Sequence, residues 1–152
     1  MSTLVHKYVA ECRDGRNAQT ICRVRTGWVI LAPVQVLRGY TLLLPDPVVS
    51  DLNSLDRETL IAYLTEMALV GEALQEATEA DRINYEILGN SEPALHAHIF
   101  PRYRDEPTDL RSGPAWFYDW EAALRFDLDR DRPLMNRIRA QIEEKVSNRT
   151  WF

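Results

Sequence analysis

Ser91-Glu92-Pro93-Ala94-Leu95-His96-Ala97-His98-Ile99-Phe100-Pro101-Arg102 holds two of the three histidines in a chain of 152 residues. The two are one residue apart. In a strand, side chains two apart share a face, so both imidazoles project to the same side. Imidazole is the side chain that offers a lone pair or passes a proton near neutral pH. An aligned pair followed by Pro-Arg points to a site where one histidine attacks a phosphorus and the other assists. Spacing alone leaves two other readings open: structural histidines in a core, or half of a metal site.

Upstream of this stretch, Arg82 to Gly89 reads as a strand, with Leu95 to Phe100 as its neighbour. Gly89-Asn90-Ser91-Glu92-Pro93 supplies the bend between them. Before that strand, Leu60, Leu64, Met67, Gly71, Leu74 and Thr78 recur at steps of three and four, one apolar face of a long helix ending near Ala80. Asp56 is its N-cap, and Leu55 and Leu60 form a hydrophobic staple around it. Glu58, Glu66, Glu72 and Glu76 fall on other faces and read as solvated acids.

Nearer the start, Trp28-Val29-Ile30-Leu31 is a strand closed by Pro33, paired with Gln19 to Val24 across the turn residues Asp14-Gly15. Gly39 opens a second buried strand, Tyr40 to Leu44, stopped by Pro45 and Pro47. After the histidines, residues 105–133 are irregular, charged and aromatic. Trp116, Phe117, Tyr118 and Trp120 read as core or subunit interface in preference to a base-stacking platform. Leu134, Ile138, Ile142 and Val146 mark a last amphipathic helix starting near Pro133. The order predicts an α+β fold, a mostly antiparallel sheet with one long helix and a C-terminal helix. It forms one domain over residues 1–152, with 1–20 an N-terminal extension and 105–152 the aromatic segment and final helix.

Composition excludes several classes of function. A net charge of −5 is the wrong sign for broad nucleic-acid binding, although a few arginines can still hold a small anion. No apolar run is long enough to cross a membrane. Residues 1–7 lack a basic stretch followed by an apolar one, which predicts a cytoplasmic protein. Cys12 and Cys22 have no CxxC spacing and read as reduced, structural thiols.

Ala94-Leu95-His96-Ala97-His98-Ile99-Phe100-Pro101-Arg102 resembles the motif of the histidine triad (HIT) family, in which three histidines alternate with apolar residues ahead of Pro-Arg. Gly89-Asn90-Ser91 sits where that family carries Gly-Gln-Ser or Gly-Gln-Thr. Ile83-Asn84-Tyr85 and Gly39-Tyr40-Thr41-Leu42-Leu43-Leu44-Pro45 resemble its earlier strands. The resemblance runs from about Trp28 to Arg104, nearest to the bacterial branch similar to dinucleoside polyphosphate hydrolases. Two positions depart from the pattern: the first triad histidine is Ala94, and the histidine after the earlier glycine is Tyr40. Ala94 lacks the zinc-ligating side chain of the uridylyltransferase branch.

The resemblance implies that His96 is the nucleophile and His98 its assistant beside the transferred phosphate. It also implies a backbone carbonyl near His98 that fixes the attacking tautomer. Asn90 and Ser91 would donate to phosphate oxygens, Asn84 would reach the ribose side or a phosphate, and Arg102 would grip phosphate unless turned to solvent or a partner subunit. The implied reaction is cleavage of a dinucleoside polyphosphate or nucleoside phosphoramidate through a nucleotidyl-histidine, in a homodimer whose sheets join edge to edge. No metal or cofactor is held by the protein itself, and Mg²⁺ can arrive on the substrate. The alternative is a nucleotide-binding module without catalysis. His6 lies outside the resemblance and reads as exposed and incidental.

Overall fold

The computed structural model describes residues 2–148. A five-stranded antiparallel sheet runs through the domain in the order β1 (Thr20–Val24), β2 (Gly27–Leu31), β4 (Thr41–Pro45), β6 (Ala97–Arg102) and β5 (Arg82–Glu86). Its strands are rich in Val, Ile and Leu, and both faces are covered, so they read as continuous apolar runs. Every residue of β4 and β6 is buried. On one face, Val29, Leu31, Leu43, Ala97 and Ile99 pack against helices α2 (Arg57–Thr78) and α4 (Leu128–Ser147). On the other, Ile30, Leu42, Leu44 and Phe100 pack against α1 (Leu4–Arg13) and part of the aromatic segment. The α+β architecture expected from the sequence is the one observed. No helix among the described residues is long and apolar enough to cross a membrane.

The β1–β2 hairpin turns at Arg25-Thr26, not at Asp14-Gly15. Asp14 instead caps α1, and Gly15, at φ +69°, takes the left-handed conformation that ends it. Within the expected N-terminal extension, α1 buries Val5, Val9 and Cys12. Its start is marked by a capping box, in which Thr3 accepts from the His6 backbone and the His6 ring accepts from Thr3 N–H. His6, though exposed, thus has a structural role. Gly27 is required where β2 meets β4, because a Cβ there would fall 1.8 Å from the Leu44 carbonyl oxygen.

Asp56 caps α2 as expected, accepting from Thr59 N–H. Glu66 departs from its reading as a solvated acid. It is 2% exposed and accepts from Arg25 N–H and Thr26 N–H, each at 2.8 Å, so α2 clamps the hairpin turn. Helix α4 begins five residues ahead of Pro133, because Asp127 caps it by accepting from Arg130 N–H. Pro133 sits in its second turn. Residues 105–127 carry more order than their composition suggests: α3 (Thr108–Arg111), a 3₁₀ turn at Ala115–Phe117, and β7 (Leu124–Arg125) paired with β3 (Val34–Gln35).

Candidate active site

His98 lies on β6 opposite Leu42 of β4 and Glu86 of β5. His96 precedes the first residue of that strand, so β6 starts later than the sequence suggests. The two rings nevertheless share a side, with centroids 4.7 Å apart and planes at 69°. Both residues are buried.

His96 Nδ1 is 2.7 Å from the carbonyl oxygen of Ala94. A carbonyl only accepts, so Nδ1 carries the ring proton and Nε2 keeps its lone pair. The tautomer-fixing carbonyl is therefore that of Ala94, the position where the first triad histidine is missing. The backbone there is anchored, because Leu95 N–H donates to the Val49 carbonyl at 2.8 Å.

His98 Nδ1 lies 2.5 Å from the Tyr40 hydroxyl. Gly39, at φ +91°, turns the chain so that Tyr40 enters ahead of β4. Its ring stacks on Phe100 at 4.1 Å and meets the edge of Trp120 at 5.7 Å. Burial lowers the His98 imidazole to about 4, with the neighbouring His96 acting in the same direction. Burial also pushes the Tyr40 phenol far above its ordinary range. Near neutral pH the pair is uncharged.

The histidines open into an apolar cleft of about 170 Å³. Leu42 and Leu44 come to it from the sheet, Val5 and Tyr8 from α1, and Trp120 from the aromatic segment. Among the described residues, the lining holds no lysine or arginine. Its acidic member is Glu92, whose carboxylate accepts from Leu4 N–H and Val5 N–H and so sits at the positive end of α1. Trp116 and Trp120 stack at 4.7 Å, and Trp116 meets the edge of His98 at 5.1 Å. Trp116 and Phe117 are exposed and Tyr118 and Trp120 half-buried, so the aromatic cluster borders the site at the surface and does not fill the core, contrary to the core reading.

The remaining expected residues are placed differently. Arg102 is 6% exposed and turned inward. Its guanidinium binds the Glu106 carboxylate, Asn84 Oδ1 and the carbonyls of Leu110, Arg111 and Gly113. Every N–H it owns is spent, so it offers nothing to a phosphate, contrary to the expectation. Burial works against the ionised Glu106, but hydrogen bonds from Arg102 and Tyr118 outweigh it and hold the carboxyl low. Asn84 shares the sheet face of His98, yet its carbonyl is committed to Arg102 at 2.7 Å. Asn90 and Ser91 are exposed in the bend and do not line the cleft.

Nothing in the sequence separates Glu92 from a surface acid, and the contribution of α1 was missed. The cue available for α1 was the spacing of Thr3 and His6, a cap ahead of buried Val5, Val9 and Cys12. No group of three or more His, Cys, Asp or Glu side chains placed to hold a metal gathers among the described residues.

A family model described as the HIT domain matches residues 29–105. No curated protein matches the chain in sequence. A solved histidine triad protein of Bradyrhizobium japonicum is 27% identical, covering 82% of this chain and 91% of its own, with a TM-score of 0.69. A histidine triad protein of Marinobacter aquaeolei is 21% identical, covering 95% and 98%, at a TM-score of 0.73. A hypothetical histidine triad nucleotide-binding protein of Sulfolobus tokodaii is 20% identical, covering 91% and 92%, at 0.71.

Proposed function

The chain belongs to the HIT domain family, and from that premise we propose that it binds nucleotides and cleaves them with His96 as covalent nucleophile. Its substrate class is a dinucleoside polyphosphate or a nucleoside phosphoramidate. The observation that carries this reading is the 2.7 Å contact of His96 Nδ1 with the Ala94 carbonyl, which leaves Nε2 free to attack. The Nε2 lone pair forms a bond to phosphorus while the bond to the leaving group breaks and its electron pair departs with that group. The ring becomes a positively charged nucleotidyl-imidazolium, and the Ala94 carbonyl dipole faces its Nδ1–H. Water then attacks phosphorus, the P–N bond breaks with its electron pair returning to Nε2, the extra water proton passes to solvent, and a nucleoside monophosphate leaves. Two easier displacements replace one hard one. His98 donates to a phosphoryl oxygen. Mg²⁺ would arrive, if at all, on the polyphosphate, and no residue is assigned to it.

Replacing His96 by Ala removes the nucleophile and should abolish both turnover and any nucleotide adduct seen by mass spectrometry. Hydrolysis at the wild-type rate in the purified variant would refute the mechanism. The lack of a cationic wall in the cleft, with Arg102 spent elsewhere, favours a second reading: a module that binds a nucleotide without cleaving it. Calorimetric binding of AMP, with no product from a panel of polyphosphates and phosphoramidates, would select it.

The homodimer belongs to the same proposal. Strand β5 is one of the two edges of the five-stranded sheet, and an antiparallel copy centred on Asn84 would set Arg82 against Glu86 of the second chain. Cys12 and Cys22 are free thiols, which suits a cytoplasmic place of action.

A further inference from the structure

The Tyr40 hydroxyl has His98 Nδ1, at 2.5 Å, as its hydrogen-bond partner, and none other among the described residues. The phenol is buried and holds its proton firmly, with Glu86 and Tyr8 adding to the effect of burial. A phenol can donate or accept, but the Tyr40 O–H has no other acceptor among the described residues, so the arrangement that pairs its proton has the O–H donating and His98 Nδ1 accepting. The one proton of the neutral His98 ring is then on Nε2.

From this geometry we propose that Tyr40 is a positioning residue that fixes His98 as a neutral donor unable to act as a general acid, so that the site cleaves nucleoside phosphoanhydrides in preference to phosphoramidates. The inference rests on the hydrolase reading and narrows it. For His98 to release its Nε2 proton, the ring must become an imidazolate, or take the Tyr40 proton and leave a phenolate. Either puts an unpaired negative charge among Phe100, Leu42 and Trp116. His96 cannot supply the proton, because in the adduct its Nε2 is bonded to phosphorus and its Nδ1–H is held by Ala94.

An imidazolium at His98 is the remaining acid, and burial opposes it. The titratable groups around the ring are His96 ahead of β6, Tyr40 ahead of β4 and Glu86 opposite on β5. Glu92 and Tyr8 stand at the cleft they share. Glu86 is engaged by the Trp116 indole N–H. A hydrogen bond made to the neutral ring holds it neutral.

The leaving groups respond differently. In an anhydride the P–O bond breaks and its electron pair stays on a phosphate oxygen, stable as an anion near neutral pH. In a phosphoramidate the P–N bond breaks, and the amine needs a proton that neither ring delivers.

Two measurements test this. Long-range ¹H–¹⁵N spectra of the substrate-free protein with labelled histidine, from about pH 5.5 to about 9, report the ring directly. Wild-type His98 should show an unprotonated Nδ1 and a protonated Nε2 throughout. Tyr40→Phe, which keeps the packing on Phe100, should populate both tautomers. A protonated Nδ1 in the wild type overturns the proposal without reference to any substrate. Turnover is then compared on diadenosine triphosphate and adenosine 5′-phosphoramidate. The anhydride should have the larger kcat by about 100-fold, and Tyr40→Phe should narrow that gap with KM little changed. Equal rates on both would sink the selectivity and leave the hydrolase reading standing. No turnover of either would sink the hydrolase reading, and the ring spectra would still decide the role of Tyr40.

Discussion

At the scale of single residues, the buried His98, with His96 beside it, makes the fold sensitive to acid. The unfolded chain, with His98 near its ordinary 6.5, takes up a proton that the folded chain refuses until about 4. Stability is therefore complete above pH 6.5, falls as the pH is lowered between those values, and stops falling from this cause below them. The loss amounts to about 3 kcal/mol at most. Urea unfolding across that window should show the slope in the wild type and a smaller one in His98→Phe; parallel curves would contradict it. The His96–His98 pair was legible because alternation along a strand fixes the side on which a residue emerges. The Ala94 carbonyl was not, since a backbone atom has no letter of its own. Arg102 was misread for a related reason. Pro-Arg announces a guanidinium, but whether it meets phosphate or Glu106 is decided by the later residues 106–113 folding back on it.

At the scale of elements, Glu66 joins helix α2 to the β1–β2 turn. Glu66→Ala leaves the N–H groups of Arg25 and Thr26 without their acceptor. The variant should lose about 3 kcal/mol, read as a lower urea midpoint. Glu66→Gln keeps one acceptor oxygen and should lose roughly half of that. A midpoint unchanged in Glu66→Ala would show that the clamp contributes nothing. The elements themselves follow from local rules: Asp56 and Asp127 cap their helices, and Gly39 opens β4. Pairing across long stretches did not follow. The partner of Glu66 lies forty residues away, and an acid on a helix looks the same in sequence whether it meets water or a buried turn. The β1–β2 turn was misplaced because Asp14-Gly15 carries turn chemistry that serves equally to end a helix.

For the whole molecule, the sheet fixes which surfaces remain available. α2 and α4 cover one face, and α1 with the aromatic segment covers much of the other, leaving β5 as a free edge. If two chains join there, Arg82→Glu turns both Arg82–Glu86 pairs into like-charge contacts. Dimer dissociation, measured by sedimentation at low salt, should then strengthen about ten-fold or more. An unaltered dimer would place the interface elsewhere. The fold class was readable because the strand and helix signals come in the order an α+β sheet needs. The place of residues 105–127 was not, since the Arg102–Glu106–Tyr118 hydrogen-bond chain, the β3–β7 pairing and scattered aromatic contacts tie them down, and none of these shows as an apolar period. These ties bring the stacked Trp116–Trp120 pair to the rim of His98. An indole loses emission to a charged imidazole at its edge, so the protein contains its own optical gauge. Its intrinsic fluorescence can follow the charge on His98, and the docking of this segment, with no label attached.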